Sequence, residues 1–132
     1  MISVNKEDYL RAFYLQEEKG EKITVTETAD YMDVSKASVS EMLKKLVAKG
    51  LINYERYSDI TLTLKGKNFA RKLTARHRLI EYFLRETLKM DESEIHEEAH
   101  RLEHAFSDVA IEKLRIFLGD PKKDPHGEPI PR

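Results

Sequence analysis

Apolar residues recur at three- and four-residue spacing from Lys6 to about Lys19, at Tyr9, Leu10, Phe13, Tyr14 and Leu15, and Gly20 follows where a helix C-cap sits. The spacing predicts a first helix of about four turns. Thr24 to Glu27 has the form of a capping box, Thr24 holding the third amide and Glu27 reaching back, so a short second helix is expected from Val25 to about Met32. Asp33, Val34 and Ser35 make a tight turn. Ser35 is then the N-cap of a third helix whose apolar positions Val39, Met42, Leu43, Leu46 and Val47 repeat at three and four, and Gly50 ends it. Two helices joined in this way have the proportions of a helix-turn-helix, whose second helix enters the DNA major groove.

After Gly50 the period changes. Residues 51–57 and 60–64 flank Ser58-Asp59, and Ile60, Leu62 and Leu64 alternate with Thr61 and Thr63, which predicts a two-stranded wing. Helical spacing returns from about Gly66 to Leu88 (Phe69, Leu73, Ile80, Phe83, Leu84), from about Glu92 to Phe106, and from about Asp108 to Phe117. Their apolar surface exceeds what a lone three-helix unit covers, so a symmetric dimer is expected. All four prolines follow Leu118, in a tail without a core of its own, and no internal repeat is visible.

With 132 residues, 40% of them hydrophobic, the chain suffices for one compact domain or two small ones, and a large enzyme cleft is not expected. There is no cysteine, hence neither a disulfide framework nor a thiolate metal site. The N-terminus has no apolar core of signal-peptide length, and no run approaches the roughly 18 apolar residues of a membrane span. A soluble cytoplasmic protein without a membrane partner is expected. The net charge of -1 conceals a division: Lys36 to Arg78 holds eleven Lys/Arg against three Asp/Glu, and Leu79 to Ile111 three against nine. One half suits a polyanion, the other a cation.

The acidic half also concentrates histidine. Residues 96–106, HEEAHRLEHAF, hold three of the five histidines and three carboxylates. In a helix His100, Glu103 and His104 stand at i, i+3 and i+4 and can converge on one ion, with His96 one turn earlier and His77 and Glu81 four apart on the preceding helix. The same spacing also suits ordinary surface His/Glu partners.

These residues resemble the diphtheria toxin repressor family of metal-dependent regulators, in particular its iron-dependent members. The similarity is carried by RHRLIEYFL at 76–84, HEEAHRLEHAFSD at 96–108, GEPIPR at 127–132, EDYLRAFYL at 7–15 and VSKASVSEMLKKLVAKGLI at 34–52. It implies a mainly α fold with a small β-hairpin: a winged helix-turn-helix domain at 1–73, a helical dimerisation and metal-binding domain at 74–118, and the proline-rich tail at 119–132. Many iron-type members continue into a C-terminal barrel domain; the sequence stops at Arg132, so either a natural short form or a chain cut before that domain is expected.

The resemblance implies a primary metal site on Asp8, His100, Glu103 and His104 and an ancillary one on His77, Glu81 and His96. Iron-responsive members commonly have methionine and cysteine at the Asp8 and His100 positions, and manganese-responsive ones aspartate and glutamate. Aspartate plus histidine is a harder set without sulfur, suited to both Fe(II) and Mn(II), and Zn, Co, Ni or Cd can substitute in vitro. His77, Glu81, His96 and the proline-rich end follow the iron type. For DNA, the matching positions are Ser35, Lys36, Ala37, Ser38, Ser40 and Glu41, with Lys44, Arg56, Lys65 and Lys67 as phosphate contacts. Glu41 is awkward near phosphate unless it accepts from cytosine or pairs with Lys44 or Lys45.

The reading is a metal-dependent repressor that binds an inverted-repeat operator in double-stranded DNA as a homodimer and controls metal homeostasis genes. Two alternatives remain: a metal-independent winged-helix dimer, and a small metalloenzyme. No nucleophile, oxyanion hole or phosphate-binding glycine loop supports the enzyme.

Overall fold

Helix α1 (Lys6–Glu18) starts at Asn5, whose side chain accepts the amides of Glu7 and Asp8 at 2.9 and 3.2 Å, while Asp8 Oδ2 accepts the Asn5 amide at 3.0 Å. This capping box uses Asn and Asp where Ser/Thr and Glu are usual. The computed structural model describes residues 5–55 and 58–132, and it divides into two compact units, one up to Arg71 and one from Lys72 onward.

In the first unit α2 (Val25–Met32) is capped by Thr24, which accepts the Glu27 amide at 3.1 Å. Asp33 leaves the helix with φ 55°, and Ser35 caps α3 (Lys36–Ala48) by accepting the Ser38 amide at 3.0 Å. The result is the helix-turn-helix. α3 closes in a Schellman motif: the amides of Gly50 and Leu51 bond the carbonyls of Val47 and Leu46 at 2.9 and 3.0 Å, which requires the positive φ of 70° at Gly50.

Among the described residues the wing is shorter than the alternation implies, and Arg56 and Tyr57 of the expected first strand lie outside them. β1 (Ile52–Asn53) pairs antiparallel with β2 (Thr61–Leu62), Ile52 opposite Leu62 and Asn53 opposite Thr61, and Ile60 bridges back to Ile23. Leu64, expected to extend the strand, instead opens α4 (Leu64–Glu86). Thr63 is the cause: its hydroxyl accepts the Gly66 amide at 3.0 Å, as an N-cap does, and donates to the Gly50 carbonyl at 2.7 Å. Gly66 is buried against the Leu51 carbonyl, where a Cβ would lie 1.9 Å from the oxygen.

The core of this unit gathers Tyr9, Leu10 and Phe13 from α1, Val39, Leu43 and Leu46 from α3, and Ile23, Ile52 and Ile60 around the wing base. Truncating such a side chain to alanine costs about 2–5 kcal/mol. Because Val39, Leu43 and Leu46 are three or four apart, packing takes one face of α3 and leaves the other in solvent.

α4 continues into the second unit, where α5 (Glu92–Glu103) and α6 (Asp108–Phe117) join it. α5 stops short of the expected Phe106, with His104 as its C-cap, and α6 is capped by Ser107, which accepts the Ala110 amide at 3.1 Å. Leu79, Ile80, Leu84, Ile95, Ala99 and Ile111 form the core. Residues 119–132 fold back onto it: Ile130 is buried in the same cluster, and Arg78 donates to the Pro129 carbonyl at 2.7 Å. Val109, Ile116 and Phe117 on α6 are left 70%, 64% and 71% exposed. Among the described residues no helix is long and apolar enough to cross a membrane.

Candidate metal centre and nucleic-acid interface

The second unit brings His77, Glu81 and His96 together, each offering a ligand atom within 4.8 Å of the others. His77 and Glu81 lie one turn apart on α4 and are buried, while His96 comes from α5 and is exposed. Glu81 Oε1 is 3.4 Å from His77 Nε2 and Oε2 is 3.8 Å from His96 Nδ1, with the two rings edge to face and centroids 4.9 Å apart. Burial works to raise the Glu81 carboxyl, but hydrogen bonding to His77 and His96, reinforced by their charge, outweighs it and brings the pKa down to about 2. Glu81 is therefore a carboxylate throughout the physiological range.

His100, Glu103 and His104 also converge within 4.8 Å. Glu103 is 2% exposed, and its Oε1 lies 4.0 Å from His100 Nε2 and 3.8 Å from His104 Nε2. Its other oxygen is 3.5 Å from His77 Nδ1, so His77 presents one ring nitrogen to each of two buried carboxylates. A neutral imidazole carries a single N–H and cannot donate to both. Asp8, assigned to the primary site by resemblance, belongs to the first unit, where its buried carboxylate closes the α1 capping box.

A further set was not expected from the sequence. Asp124 and His126 offer ligand atoms within 4.8 Å of Glu81 and of each other, making Glu81 common to both groups. Asp124 is buried, and its Oδ1 accepts the amides of His126 and Glu128 at 2.9 Å each, an Asx turn that orients the carboxylate. His126 Nε2 is hydrogen-bonded to Glu92, and that bond holds the imidazole above its ordinary pKa. The signal was an Asp-x-His pair in a proline- and glycine-rich stretch, where no periodicity says what the pair faces.

The donor chemistry fits a divalent cation. Around an ion held at about 2.1 Å, adjacent ligand atoms lie about 3 Å apart and opposite ones about 4 Å. The imidazole to carboxylate separations of 3.4–4.0 Å fall in that range. Buried Glu81 and Glu103 supply the anionic charge that stabilises an ion out of water.

On α3, Ser35, Lys36, Ala37, Ser38, Ser40, Glu41 and Lys44 are all exposed, opposite the buried Val39, Leu43 and Leu46. Glu41 is paired with Lys44 at 3.2 Å. Lys67 lies 3.9 Å from Glu17, and Lys65 donates to the Lys49 carbonyl at 3.2 Å. Arg56 is outside the described residues.

Two family models match the chain: the iron dependent repressor N-terminal DNA binding domain over residues 1–60, and the iron dependent repressor metal binding and dimerisation domain over residues 63–132. The chain belongs to the iron-dependent repressor family. An HTH-type transcriptional regulator of Methanocaldococcus jannaschii is 43% identical over 118 residues, covering 89% of this chain and 94% of that protein. The solved manganese regulator SloR is 46% identical with a TM-score of 0.90, over 99% of this chain and 61% of its own. A manganese-dependent transcriptional repressor in complex with manganese is 36% identical, also at 0.90, over 97% of this chain and 59% of its own. The chain thus spans about three fifths of the length of these solved repressor-family structures.

Proposed function

We propose that the protein is a cytoplasmic metal-dependent transcriptional repressor that binds inverted-repeat operator DNA as a homodimer when loaded with Mn(II) or Fe(II). The observation that carries this reading is the pair of sulfur-free histidine and carboxylate sets in one helical unit, on the same chain as a helix-turn-helix whose reading face is free of apolar packing. The manganese named for the solved relatives supports Mn(II), and the family description supports Fe(II). The exposed Val109, Ile116 and Phe117 are the surface proposed to meet the second copy.

When bound, the ion supplies positive charge that draws carboxylates and imidazoles into one arrangement. His77, Glu81 and His96 form the ancillary site, and Asp124 and His126 extend it from the folded-back segment. His100, Glu103 and His104 form the primary site, to which the resemblance adds Asp8. Asp8 belongs to the DNA-binding unit, so metal and operator affinities are linked: whatever favours one favours the other by the same factor. Ser35, Lys36, Ala37, Ser38, Ser40 and Glu41 read base edges and phosphates, with Lys44, Arg56, Lys65 and Lys67 on the backbone.

A gel-shift titration at fixed salt, with and without Mn(II) or Fe(II), tests the reading. Metal-enhanced binding to an inverted repeat with half-sites about one DNA turn apart is expected. Equal binding in chelator and in metal would overturn it.

A further inference from the structure

The DNA-binding unit contains a cavity of about 310 Å³ lined by Lys6, Leu10, Lys49, Leu51, Lys65 and Phe69. Three lysines and three apolar side chains meet there, and none of the six is acidic. Leu10 and Leu51 are buried, whereas the Phe69 ring is 42% exposed. Lys65 is held at the rim by its bond to the Lys49 carbonyl. The positive charge of Lys6, with that of Lys65, holds the Lys49 ammonium below the usual lysine range. Crowded like charges are unfavourable, and an anion bound among them relieves the repulsion. The walls are firm, since Leu51 is pinned by the Schellman motif on one side and by Gly66 on the other.

We propose that this cavity binds a small amphipathic organic anion, an alkyl or aryl carboxylate, with its charged end among Lys6, Lys49 and Lys65 and its apolar body on the exposed Phe69 ring beside Leu51. The volume lies at the lower end of the roughly 300–1,000 Å³ of small-molecule sites, which are mostly apolar with a few polar groups that fix orientation. A bare phosphate satisfies the lysines but leaves the Phe69 ring wet.

The test is an NMR titration of the isotope-labelled, metal-free full chain with sodium octanoate. Saturable amide shifts are expected around residues 6–10, 49–51 and 65–69, and Lys49→Glu should weaken octanoate at least tenfold while leaving the circular dichroism of the parent. Should that variant not fold, Lys6→Gln carries the same expectation at about threefold or more. Unchanged affinity in the folded variant overturns the proposal, as do shifts confined to Val109, Ile116 and Phe117. Displacement of octanoate by equal potassium phosphate would mark a phosphate site instead, and also overturns it.

Discussion

His77 Nδ1 lies 3.5 Å from Glu103 Oε2, while its Nε2 faces Glu81 at 3.4 Å, so one imidazole touches both donor sets. Residues that share a partner do not act additively. His77→Gln is therefore expected to weaken the primary event by about 10- to 100-fold, the usual effect of losing a ligand's supporting partner, and the ancillary event, of which His77 is a proposed ligand, at least as much. Glu81→Gln should weaken one event and spare the other. Calorimetric titration with Mn(II) separates the two, and an unchanged second event in His77→Gln would show that the sets are independent.

Asp8 serves the α1 cap as well as its proposed ligand role, and the two can be told apart. Asp8→Asn keeps an oxygen to accept the Asn5 amide but loses the negative charge. It should hold stability near that of the parent while losing most of the metal enhancement of operator binding, about 5- to 150-fold for coupling of this kind. Asn5→Ala should do the reverse, costing about 0.5–2 kcal/mol of stability and keeping the metal response. Urea unfolding beside fluorescence anisotropy on a labelled operator reads both. Undiminished metal stimulation in Asp8→Asn would move the switch to His77, Glu81 and His96.

Lys44 and Lys67 differ in their surroundings. Lys44 is paired on its own helix with an exposed Glu41, whereas Lys67 faces Glu17, whose other oxygen accepts the Leu62 amide at 3.0 Å. Lys44→Ala should weaken operator and random DNA alike and reduce the slope of log affinity against log salt by about 1. Lys67→Ala should reduce it less. A changed base preference in Lys44→Ala would rule out a phosphate contact.

What was legible in the sequence was whatever repeats or caps locally. Thr24, Ser35 and Gly50 punctuate α2 and α3 through contacts three to five residues away, so the helix-turn-helix could be read directly. The i,i+4 pair His77 and Glu81 was visible for the same reason. Illegible features depend on distant chain: Ile60 bridging Ile23, Thr63 capping α4 while bonded to Gly50, and Ile130 filling a core built by three earlier helices. Asp124 and His126 were missed because they come near Glu81 only once that segment folds back. The Asn5 and Asp8 capping box was local, but in residues less typical of the motif.

Gly66 sets helix propensity against packing. Alanine is favoured over glycine inside a helix by about 1 kcal/mol, so on propensity alone Gly66→Ala stabilises α4. The methyl group, however, would sit 1.9 Å from the Leu51 carbonyl oxygen, and that atom is backbone that already accepts the Thr63 amide at 3.1 Å. It cannot swing aside as a side chain would. The start of α4 must then lift off the 50–51 turn, straining the bonds of Thr63 to Gly50 and to the Gly66 amide. Overpacking of this kind costs about 1–3 kcal/mol, which exceeds the propensity gain. Gly66→Ala should therefore lower the urea midpoint and weaken DNA binding, while Mn(II) binding by His77, Glu81 and His96 stays near the parent value. A midpoint at or above that of the parent would show that propensity wins and that the close approach of α4 to Leu51 is wrong.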